Sequence, residues 1–305
     1  MGLLLFFGAF FGLCPFSTLQ SDSNSSLAKA LDQATARSFG NRTGSAVVVE
    51  VRSGRILAAK NLRAASQRLA LPGSTLKTFT LLALLESGKL RPDETFVCPY
   101  KLEIAGHRLD CPHPENLGPL APADGLAYSC NNFFAQMALR LTPQELQSAL
   151  VGWGFNSVMH LVPSEASGQV ALARSPSELQ LQAIGEFGIH VTPLELLQAF
   201  RRLAQRRRES NPPEALRIAF AGLESGVAAG MAAGAKTAGL SVAGKTGTSL
   251  ADEGRWTHGW FAGYAPADAP EIVLVVFLER GRGPTDAAGI AHKLFSAYRD
   301  ARARP

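Results

Sequence analysis

The sequence predicts an α/β chain of the α+β type, with one antiparallel sheet built from both chain ends and a helical lobe inserted between its strands. Three observations predict it. Small and β-branched residues run over 46–51 and 55–59 on either side of Arg52-Ser-Gly54, which reads as a tight hairpin. Apolar residues recur at helical spacing through the centre of the chain. Strand-like runs then return at 240–248, 257–264 and 272–278. Strands from both ends around a helical middle fit one sheet layered with helices.

The elements follow in order. Residues 2–19 are nearly uncharged and rich in Leu and Phe, and Ser21-Asp-Ser-Asn-Ser-Ser26 is abruptly polar, so residues 1–20 read as a signal peptide or membrane anchor. Leu13 before Cys14 is too large for a lipidation box, and no lipid is expected there. Residues 21–40 read as a linker and the start of a first helix. The main domain is expected over 41–305, with a sheet subdomain at 41–70 and 238–305 and a helical lobe at 71–237. In that lobe Pro72-Gly73 make a turn, and Leu76, Phe79, Leu82, Ala83 and Leu85 give a mostly buried helix. Thr142 and Thr192, each followed by proline, cap helices over 143–150 and 193–205. A final amphipathic helix falls near 287–302.

The stretch Leu71-Pro-Gly-Ser-Thr-Leu-Lys77 carries the most chemistry. Residues at i and i+3 share a helix face. Ser74 therefore has the Lys77 amine within side-chain reach, and sits at a helix N-terminus that favours a developing alkoxide. Serine-x-x-lysine alone is common, and an N-cap serine with a solvated lysine explains most instances. Two further segments change that: Tyr128-Ser-Cys-Asn-Asn132 before an apolar run, and Val242-Ala-Gly-Lys-Thr-Gly-Thr-Ser249 before an aromatic one. Serine-x-x-lysine, serine-x-asparagine and lysine-threonine-glycine in that order form the signature set of penicillin-recognising serine enzymes.

On these motifs the chain resembles the transpeptidase domain of penicillin-binding proteins, most closely the class B, monofunctional type. The resemblance extends to Gly44-Ser-Ala-Val-Val-Val-Glu-Val-Arg-Ser-Gly-Arg-Ile-Leu-Ala58, to Gly185-Glu-Phe-Gly188 with Val191-Thr-Pro-Leu-Glu195, and to Gly259-Trp-Phe-Ala-Gly-Tyr-Ala-Pro266. It implies a five-stranded sheet flanked by helices in the β-lactamase/transpeptidase manner, with the active site between sheet and lobe. It further implies that the backbone N–H groups of Ser74 and Thr248 form an oxyanion hole.

Acyl transfer to serine needs a nucleophile, a base, a proton route to the leaving amine and oxyanion donors. Ser74 is the candidate nucleophile. Lys77 serves as base only when neutral, which burial and a nearby cation promote. Lys245, expected on an edge strand facing Ser74, supplies that cation and attracts a substrate carboxylate. Ser129 relays the proton, and Asn131 suits a substrate peptide bond. Thr246 and Thr248 are placed to bond the carboxylate, and Gly247 to let the substrate backbone lie close.

These residues imply a peptidoglycan D,D-transpeptidase acting on D-Ala-D-Ala stem peptides and acylated by β-lactams. A D,D-carboxypeptidase would use the same motifs with water as acceptor. A serine β-lactamase would need a deacylating glutamate; Glu165 and Glu178 lie in the relevant interval, neither in the E-x-x-L-N context. A non-catalytic β-lactam sensor would carry a signalling module, of which the chain gives no sign. No cofactor and no metal is expected.

Cys98 and Cys111 flank a hairpin turning at Ala105-Gly106, which brings them nearly opposite. In an exported protein such neighbours form a disulfide; zinc held with His107 and His113, or two free thiols, are the alternatives. Cys130 occupies the variable middle place of serine-x-asparagine. His258 and His190 read as structural, and Trp153, Trp256 and Trp260 as core or cleft wall. The net charge of +5 and pI near 9.2 suit anionic cell-wall polymers or lipid headgroups. The Arg206–Arg208 run reads as a solvated helix end and not a nucleic-acid patch. The glycines of 222–234 lack dinucleotide-binding spacing.

Overall fold

Strands β1 (Gly44–Glu50) and β2 (Ile56–Lys60) pair antiparallel around the expected hairpin turn. The computed structural model describes residues 16–251 and 254–303, with side chains from residue 26. Two small antiparallel pairs follow: β3 (Glu103–Ile104) with β4 (His107–Arg108), and β5 (Gln169–Val170) with β6 (Ile189–His190). Strands β7 (Ala243–Ala251), β8 (Trp256–Ala265) and β9 (Ile272–Leu278) complete the main sheet, in the order β2-β1-β9-β8-β7. The earliest and latest strands thus meet at its centre, through seven residue pairs from Gly44–Leu278 to Glu50–Ile272.

Composition explains this placement. The run Ile-Val-Leu-Val-Val-Phe-Leu has no polar residue to turn toward water, and all seven side chains of β9 are buried. Val273, Val275 and Phe277 join the core under the helical lobe, while Ile272, Leu274, Val276 and Leu278 join a second core on the opposite face. Each such side chain contributes about 1.5–3 kcal/mol relative to exposure. A strand apolar on both faces belongs in the middle of a sheet covered on both sides.

The second face is covered by α1 (Phe16–Ser38) and α10 (Ala288–Arg302). Leu27 and Leu31 of α1 pack with Ile290, Leu294 and Phe295 of α10. The segment 21–40, expected as a linker and the start of a first helix, is helical as far as Ser38, because Leu27 and Leu31, one turn apart, find an apolar surface to cover. The export segment expected over 1–20 lies outside the described residues up to residue 15. Among the described residues no helix is long and apolar enough to cross a membrane.

The lobe on the first face comprises α2 (Leu62–Gln67), α3 (Lys77–Glu86), α4 (Pro122–Ala127), α5 (Asn131–Ala138), α6 (Pro143–Trp153), α7 (Pro176–Ala183), α8 (Pro193–Arg207) and α9 (Glu214–Ala228). Thr142 and Thr192 cap α6 and α8, each in a capping box with the glutamate three residues on. Helix α3 is the lobe's axis: every residue from Lys77 to Leu84 is buried. Phe79 on it meets the rings of Trp153, Phe155 and Phe200 at centroid distances of 5.3, 4.8 and 5.7 Å. A helix apolar all round lies inside its domain, and here it fixes the lysine at its first position.

Candidate functional site

Ser74 lies in a 3-10 turn, Gly73–Leu76, that runs directly into α3. The turn is held against edge strand β7 by contacts that only glycines allow. Gly73 has φ +53°, and a Cβ there would come within 2.6 Å of the Thr248 carbonyl oxygen. On the facing strand a Cβ on Gly247 would come within 2.6 Å of the Pro72 carbonyl oxygen and 2.9 Å of Thr75 Cγ2. The expectation that Gly247 makes room for substrate is thus corrected in its reason: the space its side chain would fill holds the backbone of the Ser74 turn. Ser249 Oγ adds a hydrogen bond to Leu71 O at 2.7 Å, and Gly73 N–H one to Gly185 O at 3.1 Å.

Two motif lysines converge on the hydroxyl of the remaining motif's serine. Lys245 Nζ stands 2.8 Å from Ser129 Oγ, and Lys77 Nζ stands 3.3 Å from the same atom. Lys77 also donates to Ser129 O at 2.8 Å and to Asn131 Oδ1. Ser129 presents both oxygens because its backbone is left-handed, φ +55°, a conformation that costs a non-glycine residue about 1 kcal/mol. Both lysines are buried. Burial lowers Lys77 to about 8. Burial, and then the charge of Lys77, hold Lys245 well below the ordinary lysine value. The sequence reading gives the proton to Lys245 and the neutral form to Lys77; in the unliganded site both amines are driven toward neutrality.

A cleft of about 150 Å³ opens beside this network, lined among others by Ser74, Ser129, Asn131, Glu186, Thr246 and Thr248. Thr248 Oγ1 accepts from Gly283 N at 3.0 Å and keeps its own proton to donate. Thr246 Oγ1 donates to Met231 O at 3.2 Å. Asn131 differs from expectation: its Nδ2 donates to Leu109 O at 2.9 Å and Asp110 O at 3.2 Å, while Oδ1 accepts from Lys77. Carbonyls only accept, so this orientation of the amide is forced. As found, Asn131 orients Lys77.

Glu186 was not singled out from sequence. It lines the cleft, its Oε2 accepts from Leu250 N at 3.4 Å, and burial pushes its carboxyl up to about 7. The only sequence signal was its place in Gly185-Glu-Phe-Gly188. The two glutamates weighed instead are committed elsewhere. Glu165 accepts from the N–H groups of Met159, His160, Leu161 and Val162, and Glu178 accepts from Arg174 N–H while its own N–H donates to the α7 cap, Ser175 Oγ.

His258 Nδ1 stands 2.9 Å from Glu279 O with its ring against Phe277, and His190 is exposed on β6. Trp260 is in the core, Trp153 packs on Phe79, and Trp256 stacks with Arg280. The arginine run ends α8 with Arg206 and Arg208 exposed, as expected, while Arg207 pairs with Glu224 and bonds Ala267 O, and Arg208 bonds Pro270 O. The hairpin turn at Ala105-Gly106 is present. Cys98 and Cys111 are free thiols with sulfurs 3.5 Å apart, beyond the roughly 2.05 Å of a disulfide. The expected pairing gives way to a group that includes Cys130 and His113, while His107 is exposed.

Comparison with known proteins adds a family. The family described as penicillin binding protein transpeptidase domain matches residues 44–297. The chain is similar to the probable peptidoglycan D,D-transpeptidase PbpC of Pseudomonas aeruginosa, at 27% identity over 295 residues covering 82% of this chain and 51% of that protein. It is also similar to the peptidoglycan D,D-transpeptidase PbpA of Mycobacterium tuberculosis, at 26% identity covering 72% of this chain and 51% of that protein. The chain thus spans about half the length of the curated relatives it matches. Among solved structures, the D,D-transpeptidase domain of a peptidoglycan glycosyltransferase from Eggerthella lenta superposes with TM-score 0.77 at 23% identity, covering 90% of this chain and 82% of that one. The transpeptidase domain of penicillin-binding protein 3 from Burkholderia pseudomallei gives 0.78 at 21%, covering 93% and 96%. At such identities these structures carry the fold.

The glycine contact yields a direct test. Gly247→Ala places a methyl group against backbone and is expected to cost about 1–3 kcal/mol in urea unfolding, whereas Gly152→Ala, with nothing within 4 Å, changes stability by less than about 1 kcal/mol. Equal small effects at both positions would show that β7 and the Ser74 turn are not in tight register.

Proposed function

Because the chain belongs to the penicillin-binding protein transpeptidase family, we propose that it transfers the acyl group of peptidoglycan stem peptides through Ser74. Ser74 Oγ attacks the carbonyl between two terminal D-alanines, an O–C bond forms, the C–N bond breaks, and D-alanine leaves. An amine of a neighbouring stem peptide then takes the acyl group and restores the Ser74 hydroxyl. β-lactams, whose ring amide replaces the scissile bond, acylate the same oxygen. The observation that carries this reading is the single hydroxyl of Ser129 held between two buried lysines beside the Ser74 turn.

The proton route follows from that arrangement. With Lys77 lowered to about 8 by burial, more of it is neutral near pH 7 than of an exposed lysine. A substrate carboxylate near Lys245 and Thr248 favours the charged form of Lys245. Ser129 can then give its proton to Lys245 and take one from Lys77, which leaves Lys77 neutral to receive the Ser74 proton. Ser129 then passes its proton to the leaving amine and takes from Lys77 the proton that came from Ser74. Ser74 N–H and Thr248 N–H are the proposed oxyanion donors, supported by the closeness of Gly73 to the Thr248 backbone. Export is part of this proposal: the substrate lies beyond the cytoplasmic membrane, and the apolar residues 2–19 would carry or anchor the chain there.

Water as the acceptor is the second reading, and Glu186 favours it. A carboxyl in the acyl cleft with its pKa near neutrality can take a proton from water in deacylation.

Penicillin is expected to leave a mass adduct on Ser74 that Ser74→Ala abolishes; labelling that survives this change would remove Ser74 as nucleophile. The second-order acylation rate should rise with pH through about 8, since deprotonation of Lys77 creates the base. Lys77→Arg, which cannot be deprotonated, should lose about 10²–10⁴-fold, while Lys245→Arg keeps more activity than Lys245→Ala. Robust acylation by Lys77→Arg would place the base elsewhere.

For the second reading, Glu186→Gln should lengthen the life of the penicillin adduct by about tenfold or more. An unchanged lifetime, followed by mass spectrometry over time, would remove water activation by Glu186.

A further inference from the structure

Four ligand-type side chains meet behind the cleft. Cys98 precedes the β3–β4 hairpin, Cys111 leaves it, His113 follows two residues on, and Cys130 caps α5. The sulfur separations are 3.5 Å for Cys98 and Cys111, 3.6 Å for Cys111 and Cys130, and 3.4 Å for Cys98 and Cys130. With a ring nitrogen of His113, all four ligand atoms lie within 4.8 Å of one another. Zinc at about 2.3 Å from each sulfur in a tetrahedral site holds the sulfurs about 3.8 Å apart. The triangle here is within a few tenths of an ångström of that.

The surroundings fit a metal better than they fit disulfides. Three thiols cannot all pair with one another. Each sulfur accepts a backbone N–H: Cys98 from Tyr100 at 3.3 Å, Cys111 from Asn132 at 3.4 Å and Cys130 from Phe133 at 3.3 Å. Asn132 Nδ2 adds a second donor to Cys111 at 3.3 Å. Donors aimed at sulfur favour thiolates, the form that binds metal. His113 is 3% exposed, and its Nδ1 stands 2.8 Å from Pro114 O. A carbonyl only accepts, so Nδ1 carries the proton and Nε2 offers a lone pair. That Nε2 is buried without a hydrogen-bond partner. An imidazole tied through one nitrogen to a carbonyl and free at the other is the usual state of a zinc-ligating histidine.

We propose that Cys98, Cys111, His113 and Cys130 bind one zinc ion in a closed, structural Cys₃His site that positions Ser129 and Asn131 in the acyl cleft. No redox step is involved: the thiols give up their protons as the ion binds. Soft thiolates in a tetrahedron select zinc over harder divalent ions. Cys130 lies between Ser129 and Asn131, so the ion would fix the backbone that presents both Lys77 acceptors. The clamp has a second arm, since Asn131 Nδ2 bonds the carbonyls of Leu109 and Asp110, and Asn132 Nδ2 those of Tyr100 and Lys101. The four ligands are positioning residues. Their effect on acylation rests on Ser74 as nucleophile; metal binding does not.

The test uses the full chain, purified reduced and equilibrated with zinc. Elemental analysis should find one zinc per chain, thiol titration should show three thiols protected by it, and cobalt exchange should give thiolate charge-transfer and tetrahedral d–d bands. Ser74→Ala should bind zinc unchanged, which separates the site from the chemistry. Cys98→Ser and His113→Ala, two variants in case one misfolds, should each weaken zinc binding about tenfold or more. Chelation should slow penicillin acylation, and added zinc should restore it. A chain that stays zinc-free with all thiols reactive, or a Cys98–Cys111 disulfide on peptide mapping, would overturn the site. Full-rate acylation by folded, zinc-free protein would overturn its positioning role.

Discussion

The site depends on two lysines buried around one hydroxyl. With Ser129 Oγ at 2.8 and 3.3 Å from the two nitrogens, these lie at most about 6 Å apart. Two positive charges at that separation repel by about 3 kcal/mol at an effective dielectric of 20, roughly two pKa units. Burial adds to this, because neither ammonium can keep its water. The pair therefore holds fewer protons at neutral pH than two exposed lysines would, and the deficit is what lets an amine act as a base. In the proposed reaction a carboxylate beside Lys245 favours the charged form of Lys245, so that arrival of substrate and creation of the base become one event.

Such a pair persists only if the fold prevents the lysines from escaping to water. Lys77 is fixed because the first eight residues of α3 are buried on every side. Lys245 is fixed because β7 is hydrogen-bonded to β8 along nine residue pairs and pressed against the Ser74 turn through Gly73 and Gly247. Ser129 is held left-handed by the hydrogen bond from Lys77 to its carbonyl and by its own N–H to Leu126 O at 3.1 Å. Lobe and sheet each contribute one lysine. The two amines meet where lobe and sheet touch, at Ser129.

Much of this was legible in the sequence because the signals were local. The caps at Thr142 and Thr192, the Ala105-Gly106 turn and the unbroken apolar run of β9 each depend on near neighbours, and the ordered motifs located Ser74, Lys77, Ser129 and Lys245. What was not legible depends on contacts between distant segments. Gly247 meets Pro72 across the cleft, so its reason for being glycine lies outside its own strand. Asn131 spends its amide on Leu109 and Asp110, which only the folded hairpin brings near. Cys130 joins Cys98 across 32 residues, and His113 joins them while His107 points to water. Glu186 belongs to a short loop whose sequence carries no charge partner, and its burial exists only once β7 is in place. Helix α1 had leucines at helical spacing, but its serine-rich start read as linker.

The account's central claim is the proton deficit of the lysine pair, and lysine side-chain NMR with labelled ε-carbons, titrated in the folded Ser74→Ala protein and assigned with Lys77→Arg and Lys245→Arg, measures it most directly. The predicted result is that both amines titrate below the ordinary value of about 10.4, with Lys77 near 8, and that a peptide ending in D-alanyl-D-alanine raises Lys245. Two lysines that both titrate above about 10, or a Lys245 indifferent to the peptide, would contradict it.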